Sequence, residues 1–274
     1  MTEPMTTKPV PMPSYENPPV NEVICGIMFK PITALLAPHL GLLWNKFRTE
    51  YPTCREAEPL IPVVESFDGE ETGQVDLSVP FLPRMWFVSK DENAVIQVQR
   101  DRILHNWRKV RTTDSYPRYS VVKERFTKQC SDFATFLAEN ELGTIQPLQF
   151  EMTYLNHIPA ESGWHTVGDI GKIFPDFNWR SGDRFLARPE KVNWRTSFAL
   201  PESKGRLHIS IQLALRRQDR LPLFVVDLTV RGMGADRTLS GMWPWFDTAR
   251  EWIVRGFTDI TGPELQRNVW RRTA

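Results

Sequence analysis

Hydrophobic positions along the chain recur with two different spacings, and the change from one to the other marks the predicted elements. The stretch "VNEVICGIMF" (20–29) alternates and is rich in β-branched residues, which predicts a strand. Apolar residues then recur every three to four positions, which predicts a helix over about 36–51 that ends before Pro52. Residues 53–80 combine prolines, glycines and acidic residues, and they are predicted to form a long loop.

The first half of the chain continues with a predicted hairpin and a second helix. The stretches "RMWFVS" (84–89) and "AVIQVQRDR" (94–102) flank a four-residue polar loop, which is typical of a β-hairpin. The second strand is predicted to bend and to continue through "ILHNWRKV" (103–110). Hydrophobic residues at helical spacing then predict a helix over about 118–140.

The second half of the chain begins in the same way. A strand is predicted over 148–158, and a short helical piece follows near 166–173. Three further strands are predicted, at 192–200, 206–217 and 221–232. A helix over about 242–260 and a last short piece complete the chain.

Each half therefore follows the order strand, helix, strands, helix, and a fold of the α+β class is expected. Because hairpins dominate, the sheet or sheets should be mainly antiparallel, with helices packed on one face. Residues 20–143 and 144–274 are predicted to be two halves of one compact unit, preceded by a flexible arm over 1–19. The shared order raises the hypothesis of a degenerate internal duplication.

The composition narrows the class of protein further. The 41% hydrophobic and 24% charged residues are typical of a globular protein, and a net charge of +1 gives no general attraction to nucleic acid or to acidic membranes. Three widely separated cysteines argue against a disulfide framework. No apolar run has the length of a signal peptide or a membrane span, so we expect a soluble cytoplasmic protein.

The basic and aromatic residues indicate specific interfaces. Arginine outnumbers lysine roughly two to one and ten tryptophans are present, and both types are enriched at binding hot spots. The tripeptide Asn-Trp-Arg occurs at 106–108, 178–180 and 193–195. In a strand, its Asn and Arg share one face and its Trp takes the other. Each copy is therefore either a displayed polar pair or only a strand anchored by its tryptophan.

The strongest polar cluster is "QVQRDRILHNWRK" (97–109), which is followed by "YPRY" (116–119). Arginines beside stacking aromatic side chains are suited to hold a base, a phosphate or a carboxylate-rich partner. The alternative is a solvated sheet face whose arginines pair with Asp101, Asp114 or other carboxylates. The candidate binding residues are Arg100, Arg102, His105, Asn106, Trp107, Arg108, Tyr116, Arg118 and Tyr119.

No reaction chemistry is recognisable in the sequence. Glycine-rich phosphate loops and the Gly-x-Ser-x-Gly elbow are absent, and the five histidines lack partners at metal-ligand spacing. Neither a metal site nor a cofactor is therefore expected. Asp227 lies inside the apolar stretch "LFVVDLTV", where it is either a hydrogen-bonded structural residue or an acid with a shifted pKa.

Several stretches together carry a resemblance to a known family. They are "ENPPVNEVICGIMF", "HLGLLWNKFRTEYP", "RMWFVSKDENAVIQVQRDRILHNWRKV", "YPRY", "MTYLNHI" and "AREWIVRGFTDIT". In order and wording the chain resembles a sporadically distributed prokaryotic family with an N-terminal NPPV-x-EV signature, over residues 16 to 270. Members of that family often carry His where Arg250 stands here. The resemblance implies no particular activity, but sporadic distribution implies a defence or toxin–antitoxin association.

Three functions follow as hypotheses. The favoured one is a non-catalytic interaction module that acts with a protein partner or as a homo-oligomer. The alternative is a nucleic-acid or nucleotide binder that uses the polar sheet face around Arg100, Arg102, Asn106 and Arg108. A third is an enzyme with an unrecognised site around Asp227 or His105.

Overall fold

The computed structural model contains one antiparallel sheet of nine strands and five α-helices among the residues that it describes. Those residues are 11–66, 82–177, 182–183, 185–187 and 189–274. The strands are β1 (Val20–Phe29), β2 (Thr53–Ala57), β3 (Arg84–Val88), β4 (Ala94–Gln99), β5 (Arg102–Arg108), β6 (Pro147–Pro159), β7 (Asn193–Ala199), β8 (Arg206–Leu215) and β9 (Pro222–Gly232). The helices are α1 (Ala37–Phe47), α2 (Tyr119–Glu139), α3 (Ile170–Ile173), α4 (Met242–Ile260) and α5 (Pro263–Asn268). The predicted α+β class is confirmed.

The two halves of the chain meet at the centre of this sheet. The strands lie in the order β2-β3-β4-β5-β1-β6-β9-β8-β7, and β1 pairs with β6. Outward from this pair, β5, β4 and β3 occupy the places on one side that β9, β8 and β7 occupy on the other. Two parts break the correspondence: β2 has no counterpart outside β7 among the described residues, and the eleven-residue α1 corresponds to the four-residue α3.

Alternation of side chains along the strands gives the sheet two different faces. On one face, large apolar side chains pack against the helices, as Phe29 does against Phe133 of α2 and Phe150 against Phe246 of α4. Burial of such side chains is the main source of stability for the fold. The opposite face carries many polar side chains and no helix of the described chain. None of the helices among the described residues is long and apolar enough to cross a bilayer.

Two predicted elements take a different form in the structure. A loop was expected over Thr53–Ala57, but these residues form β2. The strand was not recognised because it pairs with β3 at the edge of the sheet and its sequence lacks an apolar stripe. The strand predicted to continue through 103–110 is instead two strands. The chain reverses at Arg100 and Asp101, and β4 pairs with β5 from Ala94↔Trp107 to Gln99↔Arg102. No glycine, proline or asparagine marks this turn.

The N-terminal segment, residues 11–19, lies against the fold. The sequence predicts a flexible arm over 1–19, but Tyr15 is buried and its Oη lies 2.7 Å from Thr258 Oγ1 of α4. The backbone N–H of Glu16 donates to the carbonyl oxygen of Arg271 at 3.2 Å. This part of the predicted arm is therefore a fixed wall of the molecule.

Residues 58–66 form a strap across the polar face of the sheet. The side chain of Gln99 accepts from the N–H of Leu60 at 2.8 Å and donates to its carbonyl oxygen at 3.1 Å. The side chain of Gln149 accepts from the N–H of Glu65 at 2.8 Å and donates to the carbonyl oxygen of Val63 at 2.8 Å. Two glutamine amides therefore hold the strap as a neighbouring strand would.

The strap connects the first half of the chain to the second. The carboxylate of Glu65 accepts from Arg206 Nη1 at 2.9 Å and lies 2.6 Å from His208 Nε2, both on β8. Burial raises the pKa of this carboxyl, but the hydrogen bonds from His208 and Arg206 outweigh burial and leave the pKa below its usual range. Glu65 is therefore ionised at neutral pH and pairs with β8.

Candidate functional site

Six of the nine predicted binding residues are buried: five lie between residues 100 and 107, and the sixth is Tyr119. Arg100, Arg102, His105, Asn106 and Trp107 are each at most 9% exposed. The expectation that Arg100, Arg102 and Asn106 lie on a displayed polar face is therefore wrong. The reason lies in the tertiary structure. Helices cover His105 and Trp107 on one face of β5, and on the other face Asn106 is hydrogen-bonded to Gln97 and Glu22 of the neighbouring strands.

The two buried arginines are engaged inside the protein. Arg100 donates from Nε to the carbonyl oxygen of Leu35 at 3.3 Å. Arg102 donates to both carboxylate oxygens of Asp101, at 3.1 and 2.9 Å. The alternative reading, in which arginines of this cluster pair with Asp101, is the one that the structure supports for Arg102.

His105 and Trp107 point into the helix-covered core. Among the described residues, neither ring nitrogen of His105 makes a hydrogen bond of normal geometry. Burial lowers the pKa of His105 to about 3, so the ring is neutral at physiological pH. Trp107 packs with its ring centroid 5.5 Å from that of Tyr116. This Asn-Trp-Arg copy therefore has the predicted buried anchor, but its Asn is not displayed.

Asn106 belongs to a hydrogen-bonded series on the polar face. Arg84 Nη1 donates to Gln97 Oε1 at 2.8 Å, and Gln97 Nε2 donates to Asn106 Oδ1 at 2.7 Å. Asn106 Nδ2 then donates to Glu22 Oε1 at 2.7 Å. Because these residues come from β3, β4, β5 and β1 in spatial order, the series ties four adjacent strands together.

Arg108 is partly exposed at the end of β5. Its Nε donates to the carbonyl oxygen of Glu92 at 2.9 Å, and its guanidinium lies 5.9 Å from the ring centroid of Trp86. Arg84 lies 5.4 Å from the same ring. The other copies of the tripeptide do not join this cluster. Trp194 packs on Phe177, and residues 178–180 lie outside the described part of the chain.

The remaining predicted residues, Tyr116, Arg118 and Tyr119, line a cavity of about 320 Å³ where the two halves of the chain meet. We call it the junction cavity. The N-terminal segment, the start of α2, β6 and α4 form its walls. Its other polar side chains include Tyr154 and Asn156 of β6 and Arg250 of α4. The sequence did not connect these with "YPRY", because they lie on elements far apart in the chain.

Three of the phenols that line the junction cavity, those of Tyr116, Tyr119 and Tyr154, are held protonated. Tyr116 Oη lies 2.8 Å from Tyr154 Oη, and Tyr119 Oη donates to Asp247 at 2.8 Å. Burial raises the pKa of Tyr116 to about 12. Burial likewise raises the pKa values of Tyr119 and Tyr154. All three are hydrogen-bond donors at physiological pH, so none is a base or a nucleophile there.

A second concave surface lies under the second half of the chain. We call it the β7–α4 groove: it has a volume of about 460 Å³, and Phe198, Leu207, Ile209, Trp252, Gly256 and Ile260 line it. Asp176, Glu251, Arg255 and Asp259 lie at its margin. Nothing in the sequence indicates the groove, because Phe198 and Trp252 each fit the apolar pattern of their own element.

The residues considered for catalysis do not form a recognisable centre. Asp227 accepts from Thr229 Oγ1 at 2.7 Å, and burial raises the pKa of its carboxyl. Cys25 and Cys130 are buried, which raises the pKa values of their thiols and keeps them protonated. Over the described part of the chain, no group of three or more histidine, cysteine, aspartate or glutamate residues is placed to hold a metal ion.

Comparison with known proteins assigns no family to the chain. No protein-family model matches it, and searches of the curated proteins and of the solved structures returned no match. The family resemblance read from the sequence stays a prediction.

Proposed function

We propose that the chain is a non-catalytic interaction module of the cytoplasm, and that a protein partner docks on the β7–α4 groove and on the outer edge of β7. One observation carries this proposal. At corresponding places in the sheet, the first half covers its apolar face and its edge with its own elements, while the described residues of the second half leave Phe198 and the outer edge of β7 open.

The contrast is clearest at two phenylalanines. Phe87 of β3 is fully buried and packs on Phe47 of α1, with 6.2 Å between the ring centroids. Phe198 of β7, the strand in the corresponding place, is 46% exposed. An exposed phenylalanine beside an apolar groove is unusual on a monomer surface and is typical of a docking site.

The edges of the sheet differ in the same sense. β3 pairs with β2 on its outer side, whereas β7 pairs with β8 and with no other strand of the described residues. An unpaired seven-residue edge presents backbone N–H and C=O groups that a partner strand can bind. We therefore propose that the partner adds a strand to β7 and places apolar side chains in the groove.

The margin of the groove indicates the charge of that partner. Three carboxylates, Asp176, Glu251 and Asp259, accompany one arginine, Arg255, which is paired with Glu251. A segment that carries lysine or arginine beside its apolar residues complements this margin. A second copy of the chain would bring two acidic margins together, so a heterologous partner is favoured over a homodimer.

The experiment is purification of the tagged protein from its native host, with and without nuclease, using two variants. Phe198→Asp puts a charge into the groove, whereas Leu42→Asp puts the same charge on an exposed leucine of α1. A stoichiometric partner should still be recovered after nuclease treatment and with the Leu42→Asp variant. Phe198→Asp should reduce its recovery at least tenfold, which corresponds to a loss of about 1.4 kcal/mol in binding free energy. Undiminished recovery of the partner with Phe198→Asp would contradict the proposed docking surface. Recovery of the protein as an oligomer of itself, with no other protein bound, would contradict the heterologous partner.

The nucleic-acid hypothesis rests on the cluster of Arg84, Trp86 and Arg108. A tryptophan beside two guanidinium groups is suited to stacking with a base. Recovery of nucleic acid that is lost in Arg108→Ala would favour this function. Arg102→Ala is unsuitable for the test, because Arg102 is buried and removing it would leave Asp101 unpaired. A defence or toxin–antitoxin role remains a hypothesis that rests on the family resemblance alone.

A further inference from the structure

Arg250 places a positive charge in the junction cavity without a carboxylate partner. Its guanidinium lies 5.0 Å from the ring centroid of Tyr119, and it makes no hydrogen bond or ion pair with any residue that the structure describes. Arg250 is half-buried, whereas neighbouring Arg255 on the same helix pairs with Glu251 at 2.8 Å. A partly desolvated guanidinium with unused donors favours an anion at this position.

The start of helix α2 borders the same cavity and is also unsatisfied. The backbone N–H groups of Tyr119, Ser120 and Val121 donate to no acceptor among the described residues, and no side chain caps the helix. The N-terminus of a 21-residue helix carries a partial positive charge, which adds to the attraction of Arg250 for an anion.

The residue directly before this helix, Arg118, has a strained backbone conformation. Its backbone has φ of 76° and ψ of 157°, a region that residues other than glycine rarely adopt. Its Nη1 donates to the carbonyl oxygen of Tyr15 at 2.9 Å, so the side chain fastens the N-terminal segment as the wall of the cavity. Such strain persists where surrounding contacts maintain it, and it is common at binding sites.

Two buried polar groups of β6 also have unused hydrogen-bonding capacity in the cavity. Tyr116 and Tyr154 share one hydrogen bond, so one of their two hydroxyl hydrogens has no acceptor in the described chain. Asn156 is 97% buried, and its Nδ2 donates to the carbonyl oxygen of Val226 at 3.3 Å while its Oδ1 accepts from no described residue. The spare hydroxyl hydrogen of the tyrosine pair is a donor that an acceptor oxygen of a ligand in the cavity can use.

The rest of the wall is apolar. Pro18, Pro19, Ile253 and Phe257 contribute to it, and the volume of about 320 Å³ is at the lower end of the range for small-molecule sites. We propose that the junction cavity binds a small organic carboxylate, whose carboxylate group pairs with Arg250 and whose compact apolar body lies against the prolines and Phe257. A carboxylate is favoured over a phosphate dianion because one planar guanidinium matches one carboxylate in shape and in charge. This site is separate from the β7–α4 groove and does not depend on the function proposed for it.

Isothermal titration calorimetry of the purified full chain tests the proposal with four defined probes. Benzoate and 3-phenylpropionate are the carboxylates, benzamide is the uncharged analogue of benzoate, and inorganic phosphate is the competing anion. Each probe is titrated into the wild type, Arg250→Gln, Arg250→Lys and the control Arg267→Gln, which changes an exposed arginine of α5. Thermal melts of each variant confirm that it is folded.

At least one carboxylate should bind the wild type and Arg267→Gln equally, and benzamide should bind at least tenfold more weakly than benzoate. Arg250→Gln should weaken carboxylate binding at least tenfold, and Arg250→Lys should weaken it less, because it keeps the charge but loses the planar pair of donors. Absence of binding by both carboxylates, equal binding to Arg250→Gln, or phosphate binding as tight as benzoate binding would each overturn the proposal. The result of the partner-capture experiment with Phe198→Asp has no bearing on these titrations, so the two proposals can fail independently.

Discussion

The two halves of this protein share an order of elements but differ in how completely each covers its own core. In the first half, α1 lies over β3 and β2 pairs with its edge. In the second half, α3 has only four residues. The residues after it place Phe174 against Phe224 of β9 and Phe177 against Trp194 of β7, while Phe198 of β7 stays 46% exposed. Among the described residues, the first half is therefore closed by its own elements, whereas the second half leaves an apolar groove and a sheet edge exposed.

The largest expected effect is a difference in stability between variants at the two phenylalanines of corresponding strands. Phe87→Ala removes a fully buried ring and should lower the free energy of unfolding by about 3–5 kcal/mol. Phe198→Ala removes a ring that is 46% exposed and should lower the free energy of unfolding by only about 1 kcal/mol. Urea unfolding of both variants measures the difference. Similar losses would show that the second half is as closed as the first.

A smaller effect concerns His105, since only the first half buries a histidine among the apolar residues of its inner strand. On β9, which corresponds to β5, the side chains on the helix-covered face are Phe224, Val226, Leu228 and Val230. The pKa of His105 is about 3 in the fold and near 6.5 in an unfolded chain. Above pH 6.5 the histidine ring is neutral in both the folded and the unfolded state, so its ionisation does not change the free energy of unfolding. Between pH 6.5 and 3 the unfolded chain binds a proton that the fold excludes, so stability falls as pH is lowered.

His105→Leu should therefore flatten the loss of stability below pH 6.5, by up to about 1.4 kcal/mol for each pH unit. Unfolding measured from pH 7.5 to 4.5 tests this expectation. His165→Gln, a change at an exposed histidine, is the control and should keep the slope of the wild type. An unchanged slope in His105→Leu would show that this ring is protonated, or accessible to water, in the fold.

The smallest expected effect is at the strap that joins the halves. Glu65→Gln should weaken the contacts with Arg206 and His208 by about 1–2 kcal/mol and raise amide hydrogen exchange over 58–66. Because the pKa of Glu65 is lowered in the fold, its contribution is complete above the ordinary value near 4.5 and is lost as pH falls through the lowered value. Glu58→Gln, within the strap but without a contact to β8, should leave exchange near its wild-type level. Equal exchange in Glu65→Gln and wild type would mean that the two glutamine clamps alone hold the strap.

The sequence by itself determined the elements and the fold class. The periodicity of 20–29 and 242–260 matches β1 and α4 closely, because a side chain that must face a core leaves a pattern of two or of three to four residues. The pattern failed at β2 and at the reversal after Gln99, where an edge strand and a tight turn need no apolar stripe. It also indicated the anchor role of Trp107, because a buried ring opposite a polar pair is a local property of one strand.

Only the tertiary structure decided which side chains are available for binding. Arg102 and Asn106 look displayed in the sequence, yet they are buried because strands from both sides enclose β5. Tyr116 and Arg250, which lie far apart in the chain, meet at one cavity because α2 and α4 converge where the halves join. Phe198 is exposed because no helix follows β6 over that part of the sheet. Burial and proximity depend on which strands become neighbours, and that choice belongs to the whole sheet rather than to any single segment.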